Sequence, residues 1–228
     1  MKEKVSNKYI SSILYLVSAG LLGLYIYCAI SAASPFLRAG LLLAVCVFMY
    51  AGVYQSAKYQ DTETSRKRVK TAFFLMLLLY VSMLVTFLFF DGYFGRDSAL
   101  TEMGLGEYLQ TSANFVPFKS TGSLIYGYCR GWISFAKPLL NIGGNLVAFM
   151  PFALFLPLLF KKLSKAVPFL VSVACMVTVV EVTQLVLRRG VCDVDDLILN
   201  VGGAGLMLLI LHTKPVRKMI GKLTFDLY

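Results

Sequence analysis

Six long apolar runs, separated by shorter polar segments, make up most of the chain. They cover residues 9–30, 36–54, 71–90, 135–160, 167–187 and 197–211. Their lengths are near the ~20 residues that an α-helix needs to cross ~30 Å of hydrocarbon. The pattern therefore predicts an all-α, polytopic integral membrane protein with about six transmembrane helices.

Two stretches depart from this simple pattern. The fourth run contains Pro138, Pro151 and Pro157, so we expect a kinked helix there. The segment 91–134 is the longest polar stretch, and its aromatic residues include Tyr93, Tyr108, Tyr126, Tyr128 and Trp132, the only tryptophan. Aromatic side chains of this kind commonly lie at the level of the lipid headgroups. We therefore expect part of this segment to lie on, or dip into, the outer membrane surface.

Composition supports a membrane protein and charge orients it. The 228 residues are 58% hydrophobic and 15% charged, with a mean hydropathy of +0.73. Most of the 22 Lys and Arg residues fall within residues 2–8, 58–70, 161–165 and 214–222. These segments are the two termini and alternate loops, so the six-span layout places all four on the same side. Because basic residues favour the cytoplasmic side, both termini are predicted to be cytoplasmic.

This layout predicts three parts of the chain. Residues 1–70 form an N-terminal transmembrane hairpin with a basic cytoplasmic loop. Residues 71–212 form a second transmembrane domain with an extracellular loop at 91–134, and residues 213–228 form a basic cytoplasmic tail. No basic, aromatic-rich polar domain is present, so no nucleic-acid partner is expected. The five cysteines lack CxxC spacing, which argues against a zinc site or a disulfide framework.

The last three runs carry most of the polar side chains found within apolar sequence. These are Asn141 and Asn145, then Glu181, Gln184 and Arg188, then Asp196 and Asn200. Within each run they are spaced to share one helix face. With a rise of ~1.5 Å per residue, Asn141, Glu181 and Asn200 lie ~5–9 Å below the outer surface. Since such groups are costly in hydrocarbon, the sequence predicts a polar cleft that opens outward between three helices.

Nearby residues extend this picture. Asp193 and Asp195 precede the sixth run, and Arg189 adds a second basic residue beside Arg188. Small residues flank the polar positions, which lets helices approach closely in a bilayer. They are Gly143, Gly144, Gly202, Gly203, Ala204 and Gly205.

A purely structural interpretation competes with the proposed site. Asn145 or Gln184 alone would be expected to cross-link helices, each hydrogen bond contributing ~1 kcal/mol. Burial would favour neutral Glu181, whereas a neighbouring arginine would hold it ionised. The three aspartates at 193–196 could ligate a hard cation, but acids are also favoured in the first turn of a helix. No metal is therefore predicted and no cofactor is indicated. The only histidine, His212, is predicted to be interfacial.

Four short motifs together resemble the VanZ-like family of bacterial membrane proteins. They are Asn114-Phe115-Val116-Pro117-Phe118; Asn141-Ile142-Gly143-Gly144-Asn145 with Phe149 and Pro151; Glu181-Val182-Thr183-Gln184; and Arg188 or Arg189 followed by Asp193-Val194-Asp195-Asp196, Asn200 and Gly203. Their order and spacing fit over roughly residues 73–211. One departure is Ala153, where the family usually has glycine.

The resemblance implies a bacterial plasma-membrane protein, since the founding member of the group lowers susceptibility to teicoplanin, a lipid-tailed glycopeptide that binds cell-wall precursors. We therefore expect low-level resistance to teicoplanin and lipoglycopeptides, with the cleft engaging a lipid-linked cell-envelope component. The partners expected are membrane lipids and a lipid-linked cell-wall precursor or lipoglycopeptide.

Each polar residue has an expected role in this hypothesis. The ligand-binding residues are Asn114, Asn141, Asn145, Gln184, Arg188, Arg189, Asp195 and Asn200, and the acid/base residues or cation ligands are Glu181, Asp193 and Asp196. An enzyme acting on a lipid head group is an alternative, although no Ser/His/Asp set supports nucleophilic catalysis. A transporter is a third, although no internal repeat is evident.

Overall fold

Six helices in the structure are long and apolar enough to cross a membrane. The structure is a computed structural model and describes residues 2–94, 104–188 and 190–227. Within these ranges the six helical spans are Asn7–Ile30, Pro35–Ala57, Thr62–Phe89, Ala136–Leu159, Ala166–Leu187 and Val194–His212. The predicted all-α, six-span fold class is confirmed. The cytoplasmic location of the termini stays a prediction.

The chain divides into two compact units. The first contains Met1–Phe87 and Lys214–Tyr228, and the second contains Leu88–Thr213. The helices of the first unit are α1 (Lys2–Ile30), α2 (Pro35–Ala57) and most of α3 (Thr62–Phe89), with a C-terminal helix, Lys214–Leu223. In this unit the Tyr50 hydroxyl donates to the Leu223 carbonyl oxygen at 2.6 Å. The C-terminal segment therefore lies against the end of α2.

The second unit contains the candidate site. After a 3₁₀ turn, Gly92–Phe94, its described elements are α4 (Leu105–Ser112), β1 (Ala113–Asn114), α5 (Lys119–Cys129), α6 (Ala136–Pro138), a π-helical turn (Leu139–Gly143), α7 (Gly144–Ala148), α8 (Phe152–Leu159), a 3₁₀ turn (Lys161–Ser164), α9 (Ala166–Leu187), β2 (Cys192–Asp193) and α10 (Val194–His212). The C-terminal helix of the first unit is α11.

The fourth span is broken into pieces near two of its prolines. Helix α6 ends at Pro138, and Pro151 directly precedes α8. Proline lacks the N–H that continues the helical hydrogen-bond ladder, so these breaks agree with the predicted kink. Pro157 lies inside α8. Between the breaks lies the short helix α7, whose backbone at Leu146 approaches α10.

Helices α7 and α10 meet at a glycine. A β carbon at Gly203 would lie 1.8 Å from the Leu146 carbonyl oxygen, whereas one at Gly202 or Gly144 would meet nothing within 4 Å. A β carbon at Gly205 would lie 3.1 Å from Leu170 Cδ2 on α9. The predicted close approach of helices thus depends on Gly203, with a lesser role for Gly205.

One aromatic residue of the polar segment 91–134 differs from expectation. Tyr93, Tyr126, Tyr128 and Trp132 are exposed, as a headgroup location requires, but Tyr108 is 0% exposed. Its hydroxyl donates to the Gly190 carbonyl oxygen at 2.6 Å. Because a buried tyrosine hydroxyl needs a partner, this bond fixes α4 to the connection between α9 and α10. Tyr108 is therefore a packing residue.

Candidate functional site

The N-terminus of α10 is the centre of the polar cluster. Asp193 is its N-cap residue, and Asp193 Oδ1 accepts the backbone N–H of Asp195 at 2.9 Å. Asp195 and Asp196 occupy the first turn. Because a helix N-terminus carries partial positive charge and unpaired N–H groups, this end of α10 favours all three carboxylates.

Asp193 also joins α9 to the segment before α5. The Asp193 N–H donates to Glu181 Oε2 at 3.0 Å, and Asn114 Nδ2 donates to Asp193 Oδ1 at 2.9 Å. Strands β1 and β2 run parallel here, with Ala113 opposite Cys192 and Asn114 opposite Asp193. Asn114, from the motif at 114–118, is therefore paired directly with Asp193, from the acidic motif at 193–196, although the two residues lie far apart in the sequence.

Asp195 holds the turn that begins α5. Its Oδ1 and Oδ2 accept the backbone N–H groups of Phe118 and Thr121 respectively, and the residue is only 2% exposed. Phe118 has a left-handed backbone, with φ of 61°, a conformation that non-glycine residues adopt only when neighbouring structure imposes it. The Asp195 carboxylate supplies part of that constraint.

A second branch of the cluster links α10 to α7. Asn145 Nδ2 donates to Asp196 Oδ1, and Asn200 Nδ2 donates to the Asp196 backbone oxygen at 2.7 Å. Asn200 is only 4% exposed, and its Oδ1 has no hydrogen-bond partner among the described residues. A buried acceptor without a donor costs ~1–3 kcal/mol. Asn200 is therefore an uncompensated acceptor next to an otherwise connected network.

Most of the predicted site residues meet in this network. Seven belong to it: Asn114, Asn145, Glu181, Asp193, Asp195, Asp196 and Asn200. Gln184 is buried and its Nε2 donates to the Leu88 carbonyl oxygen at 3.0 Å, a cross-link of the kind expected for a structural amide. The functional roles of all these residues stay predictions.

The remaining predicted residues lie elsewhere or outside the described ranges. Asn141 is exposed in the π-helical turn and makes no side-chain hydrogen bond to the described residues. The π turn changes the angular spacing between Asn141 and Asn145, and of these two amides Asn145 is the one that donates to Asp196. Their shared stripe stays a prediction. Arg188 is half-buried and ends α9 in a left-handed conformation, with φ of 52°. Arg189 lies outside the described residues.

The carboxylates of the network are not arranged as a metal site in the described part of the chain. Among the residues that the structure describes, no group of three or more His, Cys, Asp or Glu side chains is arranged to hold a metal ion. His212 is the last residue of α10, at the opposite end from the carboxylates. All five cysteines are free thiols, so Cys129 and Cys192 are not joined.

Several residues of the network carried no clear signal in the sequence. Phe118 contributes a backbone N–H group to Asp195, and Thr121 contributes both its backbone N–H and its hydroxyl. Ser120 Oγ accepts from Asn114 Nδ2 at 3.1 Å. A backbone donor has no residue-type signature. The burial of Tyr108 was also missed, because a tyrosine in a polar segment next to the membrane is typical of an interfacial residue.

Cys192 reports the negative potential of the cluster. Partial burial raises the pKa of its thiol, and the nearby carboxylates of Glu181, Asp193 and Asp196 raise it further. We expect Asp196→Asn to lower the Cys192 pKa, because one of the negative charges that oppose the thiolate is removed. The thiolate fraction at a given pH then rises and alkylation becomes faster.

This expectation is tested by mass spectrometry of iodoacetamide labelling at Cys192 across a pH series. The curve of labelling rate against pH should move to lower pH in Asp196→Asn. Exposed Cys129 provides the internal control for reagent supply. An unmoved curve would show that Asp196 does not act electrostatically on this position.

Comparison with known proteins gives one family assignment. The family model described as VanZ/LLP1 matches residues 73–215, a range that contains every element from most of α3 to the end of α10. No curated protein and no solved structure gives a significant match to the chain.

Proposed function

The chain belongs to the VanZ/LLP1 family, and from this premise we propose that it lowers susceptibility to teicoplanin and related lipoglycopeptides in a bacterial plasma membrane. The cluster at the N-terminus of α10 faces outward and engages a lipid-linked component of the cell envelope. The observation that carries this proposal is the buried, unpartnered Oδ1 of Asn200 beside Asp196.

The chemistry of the cluster selects the kind of ligand. Asn200 Oδ1 and the carboxylates of Asp196 and Glu181 are hydrogen-bond acceptors, and a buried acceptor is compensated by an O–H or N–H donor. Sugar hydroxyl and amine groups supply such donors. A glycosylated or amine-bearing head group therefore fits the site better than a simple apolar lipid.

The neighbouring loop suits a ligand with a lipid tail. Phe115, Val116 and Phe118 expose large apolar side chains on the segment between β1 and α5. This segment is tied to the cluster through Asn114 and Asp195. A ligand whose head group reaches Asn200 would thus have an apolar surface available for its tail.

The polar residues divide into two roles in this proposal. Asn200, Asp196 and Asn145 contact the head group, and Glu181 acts on it as an acid/base group. Asn141 and Gln184 orient the head group. Arg188 and Arg189 bind its phosphate or carboxylate. Asp193, Asp195 and Asn114 position the others, because the contacts described above already occupy much of their hydrogen-bonding capacity. A ligand contact and a positioning contact can be separated experimentally at Asn200.

We expect Asn200→Leu to abolish most of the resistance without destabilising the protein. Leucine has the same number of side-chain heavy atoms and the same branching as asparagine but lacks the unpartnered oxygen, so the penalty for burying that acceptor disappears and offsets the lost Nδ2 bond. Loss of a ligand hydrogen bond should weaken binding by roughly ten-fold. The measurements are teicoplanin susceptibility of cells expressing each protein and thermal unfolding of the purified proteins.

Ser172→Ala is the control, because Ser172 bonds only to the Pro168 carbonyl oxygen within α9 and lies away from the cluster. Its resistance should match that of the wild type. Full resistance in stable Asn200→Leu would refute the proposed ligand site. Resistance that falls together with unfolding temperature would show that Asn200 is a structural residue instead.

A further inference from the structure

The first unit contains an apolar groove with basic residues at one end. It has a volume of about 540 Å³ and lies between α1, α2 and α3. Its apolar wall includes Tyr15, Met49, Val53, Ala72 and Leu75, and its polar end includes Lys67 and Arg68. Apolar and basic parts of one continuous groove match the two parts of an anionic lipid.

The positive charge at this end is only partly compensated. Arg66, Lys67, Arg68 and Lys70 lie close together in the N-terminal part of α3, where neighbouring cations repel one another. Lys67 pairs with Glu63 at 2.6 Å on the exposed surface, and Arg66 Nε donates to the Phe225 carbonyl oxygen at 2.8 Å. Arg68 has no acidic partner among the described residues. This end of the groove therefore favours an anion.

We propose that the groove binds one anionic phospholipid of the membrane. The guanidinium of Arg68 and the ammonium of Lys67 contact the lipid phosphate, and one acyl chain lies along Met49, Val53 and Leu75. Exposed ion pairs are weak, so the Lys67–Glu63 pair yields readily to a phosphate. A lipid phosphate bound here also offsets the mutual repulsion of these neighbouring cations.

The surroundings favour a lipid over a soluble phosphate. The walls of the groove are largely apolar, and Leu75 is 46% exposed within the membrane-spanning helix. Helix α11 docks at the same end of the unit and adds four exposed cations, Lys214, Arg217, Lys218 and Lys222. Its charge raises the local concentration of anionic lipid. The positive-inside pattern predicts that this end faces the cytoplasmic leaflet, where such lipids are abundant.

The test places a fluorophore on the groove wall. In the full chain, Trp132→Phe removes the only natural tryptophan and Leu75→Trp introduces one beside the groove. The protein is reconstituted in phosphatidylcholine vesicles containing brominated phosphatidylglycerol or, at equal mole fraction, brominated phosphatidylcholine. We expect the phosphatidylglycerol to be preferred by ~5-fold in the quenching curve.

Two double variants separate the groove from general surface charge. Lys67→Gln with Arg68→Gln should remove the preference, whereas Lys218→Gln with Lys222→Gln removes the same charge from α11 and should retain it. Equal quenching by both lipids would overturn the proposal, as would equal losses in the two double variants. Loss of the preference on adding millimolar inorganic phosphate, at constant ionic strength, would also overturn it by indicating a soluble anion site.

A second measurement avoids the introduced tryptophan. Native mass spectrometry of the otherwise unmodified chain, released from the same mixed bilayers, should show one retained phosphatidylglycerol. That adduct should be absent from Lys67→Gln/Arg68→Gln and present in the α11 control. An adduct retained by both double variants would contradict the assignment to this groove.

Discussion

Replacing Gly203 by alanine is expected to destabilise the protein by about 3 kcal/mol or more. The added β carbon would lie 1.8 Å from the Leu146 carbonyl oxygen and 2.8 Å from its carbonyl carbon. Both obstructing atoms belong to backbone, so no side-chain rotation relieves the clash. Helices α7 and α10 would have to separate, which would also pull Asn145 away from Asp196.

Gly202→Ala is the matched control on the same helix. A β carbon there meets nothing within 4 Å, and alanine is a better helix former than glycine by up to ~1 kcal/mol. Equilibrium unfolding of the two purified variants in mixed micelles should give opposite signs relative to the wild type. A neutral result for Gly203→Ala would mean that α7 and α10 do not pack as closely as the structure indicates.

Replacing Asp195 by asparagine is expected to destabilise the second unit by about 3 kcal/mol. The carboxylate accepts two backbone N–H groups, from Phe118 and Thr121, in a site that is 2% exposed. An amide keeps one acceptor and turns an N–H donor toward the other N–H group. The variant therefore leaves a buried donor unpaired and loses two charge-assisted bonds.

Asp61→Asn tests the same substitution where it should do little. Asp61 Oδ1 accepts the Thr64 N–H at 2.9 Å at the exposed start of α3. Hydrogen bonds from the Thr64 side chain and then from its N–H lower the pKa of the Asp61 carboxyl. Asparagine caps helices about as well as aspartate. Thermal unfolding should therefore separate the two variants clearly. Proteolysis between Asn114 and Thr121 should increase only in Asp195→Asn, and equal stability of both variants would refute the positioning role of Asp195.

These two expectations concern the scaffold of the proposed ligand site. Gly203 sets the distance between α7 and α10, and Asp195 sets the position of the loop that carries Phe115 and Phe118. Resistance should fall in both variants along with stability. The expected result for Asn200→Leu is different, since resistance falls while stability is retained. That contrast separates residues that build the site from a residue that contacts its ligand.

The sequence by itself determined the membrane class, the number of spans and the family. Each follows from local features, because a helix that crosses a bilayer must be apolar over its whole length. The fixed order and spacing of the four motifs were enough for the resemblance, and the matching family model confirms it. Helix geometry, given the span boundaries, also predicts that Asn141, Glu181 and Asn200 lie at a similar depth.

Tertiary structure decided which of these polar groups bond to one another. The pairing of Asn114 with Asp193, the two backbone donors to Asp195 and the burial of Tyr108 join segments separated by many residues. Helical periodicity describes a face within one helix, and the π turn Leu139–Gly143 changes the spacing from which the Asn141 and Asn145 stripe was predicted. Backbone donors and the unpartnered oxygen of Asn200 have no sequence signature, because they depend on how distant segments pack together.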